Sequence, residues 1–216
     1  MKAVVKPGSL LAVTLASALL FMGAAAPNQA EKVAQKMLAF DKALGQASTQ
    51  IDSTLGAMNA LSAAQGTDLV NKYKAFSGEV KKLDSMAQKA KAQSQKATAQ
   101  REQYLKQWEA NQGKLQNEQL KSASEARRNE LMPKIEAVKT SLGSAKEAFI
   151  PLMQNLNDLN LYLGNNLTPA GITGAGDLMK KCTDDGATVK TGIEQGMAAI
   201  KDLAASIQPG GAAPAK

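Results

Sequence analysis

Asp184 and Asp185 are the one adjacent acidic pair in the chain, and paired carboxylates are where acid–base or metal chemistry would begin. On a helix, neighbouring side chains point about 100° apart. These two cannot clamp one ion together, and they read as a solvated face. Glu125, Arg127, Arg128 and Glu130 stand at the three- and four-residue spacings of helical ion pairs. Arg101 and Arg127 are sharper, because both occupy positions where the surrounding spacing calls for an apolar residue. Such an arginine costs free energy unless Glu102 or Glu125 pairs with it. The resulting polar layer fixes helix register on one reading and receives an anion or a partner on the other. Cys182, between Met179 and Val189 on an apolar stripe, reads as a buried thiol acting as a small hydrophobe, with a disulfide-linked dimer as the alternative.

The chain holds no histidine, which removes Ser-His-Asp and Cys-His triads, HExxH zinc sites and imidazole proton shuttles. A single cysteine removes internal disulfides and CxxC chemistry. No GxxxxGK[ST] or GxGxxG loop is present to cradle a phosphate. The sequence therefore assigns no catalytic residue, no cofactor and no metal, and it reads as a non-enzyme. An enzyme would have to pair its nucleophile with Lys or a carboxylate alone.

Helices must position whatever these residues do. About one residue in six is Ala, a composition that favours helix over sheet. After the N-terminal segment there is no strand-like alternation, and apolar residues recur every three or four positions. The first segment carries such a stripe from Val33 to Leu61, and Gly66-Thr67-Asp68 interrupts it. The second runs from Leu69 through Tyr73, Phe76, Val80 and Leu83 to Tyr104 and Trp108. This heptad seam predicts a helix of about 45 residues, about 68 Å long. Its middle is small (Ala87, Ala90, Ser94, Ala97), which predicts a close neighbour there, while Lys81, Lys82, Lys89, Lys91 and Lys96 lie off the seam. Gly113 stops this helix and Asn117 caps the next. The third stripe runs from Leu120 to Leu163 across Pro133 and Pro151, which should kink the helix rather than end it. Thr168-Pro169 then opens a last, glycine-weakened helix that ends near Ile207.

The expected fold is all-α: an elongated, antiparallel up-down-up-down four-helix bundle. A coiled-coil hairpin between the second and third helices protrudes beyond the other two. Tyr104 and Trp108 fall on that hairpin, where one helix alone is available to cover them. They either close the end of the core or form an exposed aromatic tip. With Arg101, Arg127 and Arg128 they are the candidate contact residues.

The N-terminus has the three parts of a secretory signal. Lys2 and Lys6 precede an apolar run from Ser9 to Met22, and the small residues Gly23–Ala26 follow. Cleavage after Ala25 is expected, so residues 1–25 form the signal peptide, 26–208 a single helical domain and 209–216 a disordered tail. An uncleaved membrane anchor is the competing reading. Subtracting Lys2 and Lys6 from the 26 basic residues leaves an excess of five over the 19 acidic ones.

Several stretches resemble a bacterial family of exported or lipoprotein-like helical proteins catalogued only as a domain of unknown function. They are Asp68–Phe76, Trp108 before its turn, Asn117–Leu120 with Ser124 and Arg128, and Asp158–Ile172. The chain departs from that family where a Lys-His pair is usual, having Gly164 and Asn165, and it lacks the lipoprotein cysteine of many members. The resemblance implies a helical envelope protein and supplies no activity.

The functional expectation is an exported protein, periplasmic or extracellular in a bacterium. It would act by contact as a spacer, scaffold or adaptor on an unknown envelope protein. The alternative is peripheral binding to an anionic surface, either lipid or envelope polymer. Nucleic acid is not expected, because lysines alternate with Gln and Glu and Arg is scarce. A homo-oligomer is compatible with either reading.

Overall fold

The computed structural model describes residues 27–207. The side chains of residues 27–30, 32, 93, 94 and 96–109 lie outside that description, as do the expected signal peptide 1–25 and tail 209–216. The described chain is all-helical: α1 Pro27–Ser62, α2 Asp68–Gln112, α3 Glu118–Asn165, α4 Pro169–Gly174 and α5 Gly176–Ile207.

Local chemistry sets the boundaries. Gly66 adopts a φ of 57°, a left-handed conformation that a side chain would resist, and it turns the chain from α1 into α2. Asn117 Oδ1 accepts hydrogen bonds from the Gln119 and Leu120 amides at 2.9 and 3.1 Å, which satisfies two orphan donors at the start of α3. α3 continues through both Pro133 and Pro151. Thr168 Oγ1 accepts from the Gly171 amide at 3.0 Å, with Pro169 at the first helical position.

The single last helix expected from Pro169 to Ile207 is instead two. The chain breaks at Ala175, between Gly174 and Gly176, where two helix-weakening glycines flank one residue. Ala175 is buried, and its amide reaches back to the carbonyls of Gly171 and Ile172.

One apolar core joins α1, α2, α3 and α5, with Ile51, Phe76, Leu156 and Ile200 fully buried in it. Cross-helix contacts give the registers. Lys201 meets Asp41 at 3.8 Å and Lys190 meets Asp52 at 2.6 Å, so α5 and α1 run in opposite directions. Lys134 meets Asp202 at 2.8 Å and Asn155 meets Asp185 at 2.9 Å, which sets α3 against α5 in the same way. Gln50 Nε2 donates to Glu79 at 2.6 Å between α1 and α2. Beside it Thr54 is fully buried, its hydroxyl donating to the Gln50 carbonyl at 2.8 Å.

Among the described residues α3 packs most extensively on α5, whereas α2 packs less on α3 than on α1. Of the small middle of α2, Ala87 is buried and Ala90 half-buried, while the side chains of Ser94 and Ala97 lie outside the described residues. Ala87 and Ala90 border a partly open apolar cavity of about 50 Å³, lined also by Phe40, Leu142, Phe149 and Val189. A close backbone approach joins α3 and α5. At Gly192 of α5 an added Cβ would sit 2.9 Å from the Cα of Ala145 on α3.

Candidate functional site

The two longest stretches that carry the family resemblance meet in space. Tyr73, from Asp68–Phe76 on α2, donates its hydroxyl proton to the carbonyl of Asn160 on α3 at 3.1 Å. That hydroxyl lies 2.7 Å from where a Cβ on residue 164 would stand, so Gly164 makes room for Tyr73. Any side chain at residue 164 would displace the tyrosine.

The corner beyond is built from backbone. Asn166 ends α3 with its amide on the Tyr162 carbonyl at 3.0 Å, and the Thr168 amide reaches the Asn166 carbonyl at 2.8 Å. Gly171 lies so close to that same carbonyl that no Cβ fits. With the main chain occupied in this way, large apolar side chains are left facing solvent. Leu161 is 69% exposed, Val70 48% and Tyr162 42%. The Asn160 side-chain oxygen is buried without a hydrogen-bond partner.

The residues singled out from spacing lie toward the other end. Arg101, Tyr104 and Trp108 sit on α2, but their side chains are outside the described residues. Arg127 is half-buried and does not pair with Glu125. It donates to Glu130 at 2.6 Å and to the Ser206 carbonyl, fastening the last turn of α5 to α3. A cation on carbonyls at a helix C-terminus is favoured by the macrodipole, so this arginine holds register. Arg128 is exposed and engaged. Leu120, beyond the end of α5, is 57% exposed.

Two of the acids do more than solvate a face. Asp185 accepts from Asn155 and from Lys181 at 2.9 Å each, while Asp184 is exposed as expected. Glu79 is held below the ordinary carboxylate range by hydrogen bonds, first from Lys82 and then from Gln50. Cys182 is fully buried and unpaired, and burial, reinforced by the charge of Asp185, pushes its thiol up to about 11. Its thiolate is negligible at neutral pH.

Among the described residues no cluster of three or more acidic, Cys or His side chains is gathered to hold a metal, and no helix is long and apolar enough to cross a membrane. No curated protein and no solved structure matches the chain. One family does match, over all of the described residues. From residue 27 to residue 208 the chain belongs to the family described as "Protein of unknown function (DUF2959)".

Proposed function

We propose that this protein acts by contact, as a spacer, scaffold or adaptor in a bacterial envelope, to which residues 1–25 export it. On this reading the helices form an elongated, antiparallel up-down-up-down four-helix bundle whose α2–α3 hairpin protrudes past α1 and α5. The observation that carries the reading is how the polar side chains are used. Asp41–Lys201, Asp52–Lys190, Lys134–Asp202 and Asn155–Asp185 are cross-helix struts spread along the core. Each surface pair adds little stability, about 0 to 1 kcal/mol, but together they favour one register of α5 against α1 and α3. A spacer needs that stiffness between its ends. Exposed apolar residues stand at both ends, Leu161 and Val70 at one and Leu120 at the other, with Leu38 of α1 exposed between them.

Photo-crosslinking residues placed at Leu161, at Leu120 and at Thr191 on the exposed face of α5 test the proposal in living cells. Discrete adducts with envelope proteins from the first two positions, and none from the third, are expected. Equal labelling from all three would refute contact through the ends. Export is tested separately by the mass of the native protein, which should begin at Ala26. Retention of Met1 would overturn it.

A further inference from the structure

Among the long helices, α2 alone carries an excess of positive charge. α2 carries nine Lys and Arg against five Asp and Glu, whereas α1 and α3 balance and α5 is one negative. Leu69, Phe76, Val80, Leu83 and Ala87 are buried and fix which side of α2 faces the core. The opposite side presents Lys74, Lys81 and Lys89, all exposed and none with an ion-pair or hydrogen-bond partner among the described residues. Seven and eight residues separate them, so the row spans about 22 Å along the helix. Between them stand Gly78 and Ser85, and a Cβ added at Gly78 would meet nothing within 4 Å. Lys82 flanks the row with its charge partly answered by Glu79 at 2.6 Å. The row winds slightly round the outward side of α2, and the other acid within its span, Asp84, accepts from Gln88 at 2.9 Å. Val70, 48% exposed, stands one turn before Lys74, and the same end of the molecule exposes Leu161.

We propose that the outward face of α2 is a docking surface for an anionic lipid bilayer, with Lys74, Lys81 and Lys89 on the headgroups and Val70 and Leu161 at the interface. This goes beyond the spacer reading and stands whether or not the chain bridges two proteins. Three features select a bilayer among polyanions. The charges are lysines on flexible stems, suited to a fluid plane of headgroups rather than to the bidentate phosphate contacts that favour arginine. No aromatic side chain shares the row: Tyr73 turns toward α3 and Phe76 is buried, so bases of a single-stranded nucleic acid would find no stacking platform. Exposed aliphatic residues beside the lysines gain from an acyl boundary and gain nothing from a sugar-phosphate chain.

Co-sedimentation of the full chain with vesicles of phosphatidylcholine, alone or mixed with phosphatidylglycerol, provides the test. The readout is the ratio of the two affinities, because the apolar run from Ser9 to Met22 would enter both vesicles alike. Phosphatidylglycerol should strengthen binding, and salt should weaken it, since the Debye length falls to about 8 Å at physiological ionic strength. A juxtamembrane lysine contributes about a fivefold effect, so the triple variant K74Q/K81Q/K89Q should lower the ratio about a hundredfold. The control triple K42Q/K146Q/K180Q removes equal charge from α1, α3 and α5 and should lower it by less than about tenfold. Circular dichroism will establish that both variants keep the wild-type helix content. Equal losses in the two variants would overturn the proposal, because net charge alone would then account for binding. A wild-type ratio near one would overturn it too, as would tighter binding to a single-stranded oligonucleotide than to the anionic vesicles at the same salt.

Discussion

Gly192→Ala is the substitution that best separates this packing from other ways of arranging the same helices. In an isolated helix, replacing glycine by alanine is favourable by about 1 kcal/mol. Here the added methyl would lie 2.9 Å from both Cα and Cβ of Ala145 and 3.0 Å from its amide nitrogen. These atoms belong to the backbone and first carbon of α3, so no rotamer change relieves the clash. Ordinary carbon–carbon contact is about 3.5–4.0 Å, which requires α3 and α5 to part by most of an ångström. Overpacking of this kind costs about 1–3 kcal/mol. Because it loosens the most extensive helix pair, the upper half of that range applies, leaving a net loss of about 1–2 kcal/mol after the propensity gain. Gly143 on α3 is the control, since an added Cβ there meets nothing within 4 Å. In a chain of this size 1 kcal/mol moves the midpoint by about 2–4 °C. Thermal unfolding followed by circular dichroism should therefore show Gly192→Ala lowering Tm by about 2–8 °C and Gly143→Ala raising it by about 2–4 °C. If both substitutions raise Tm, α3 and α5 do not approach as described.

Acid should weaken the α1–α2 junction: the folded state lowers the Glu79 pKa, so its contribution is present above the unfolded value and is lost as pH falls through the folded one. Urea midpoints should show that loss in the wild type and not in Glu79→Gln. Base acts on Cys182 in the other direction. With the thiol raised from 9.0 to about 11, its contribution is whole below pH 9 and declines as pH rises to 11. The wild type should lose on the order of 2 kcal/mol across that window relative to Cys182→Ala, and equal slopes would refute the burial argument. Ala90→Leu fills part of the apolar cavity and should raise stability by about 0.5–2 kcal/mol, measured by urea unfolding; a loss would mean that the space is already occupied.

Where sequence and structure agree, the signal was chemical and local. Gly66, Asn117 and Thr168-Pro169 punctuate the chain because each side chain, or its lack, satisfies or permits a particular backbone geometry. The stripe positions follow from the helical repeat, which needs no knowledge of the neighbour. What was not legible depends on residues far apart in the chain. Nothing near Gly192 in sequence distinguishes it from Gly176, yet one faces the α3 backbone and the other open space. Asp185 read as a surface acid because Asn155 is 30 residues away. Arg127 was rightly recognised as needing a partner, but the Ser206 carbonyl, 79 residues distant, could not be named. The corner at Tyr73 and Gly164 was missed for the same reason. Its one sequence signal is that both stretches belong to the resemblance. The break at Ala175 could have been read from its two flanking glycines.

The central claim is that stiff, paired long helices make a rod that works through its ends, and small-angle scattering of the full-length protein tests it most directly. α3 alone has 48 residues and is about 72 Å long. A rod of that length has a radius of gyration of at least about 21 Å, whereas a globule of the same chain would have about 17 Å. The account predicts a radius of gyration of about 22 Å or more with a maximum dimension at least equal to α3. A value near 17 Å, with a symmetric distance distribution, would contradict it.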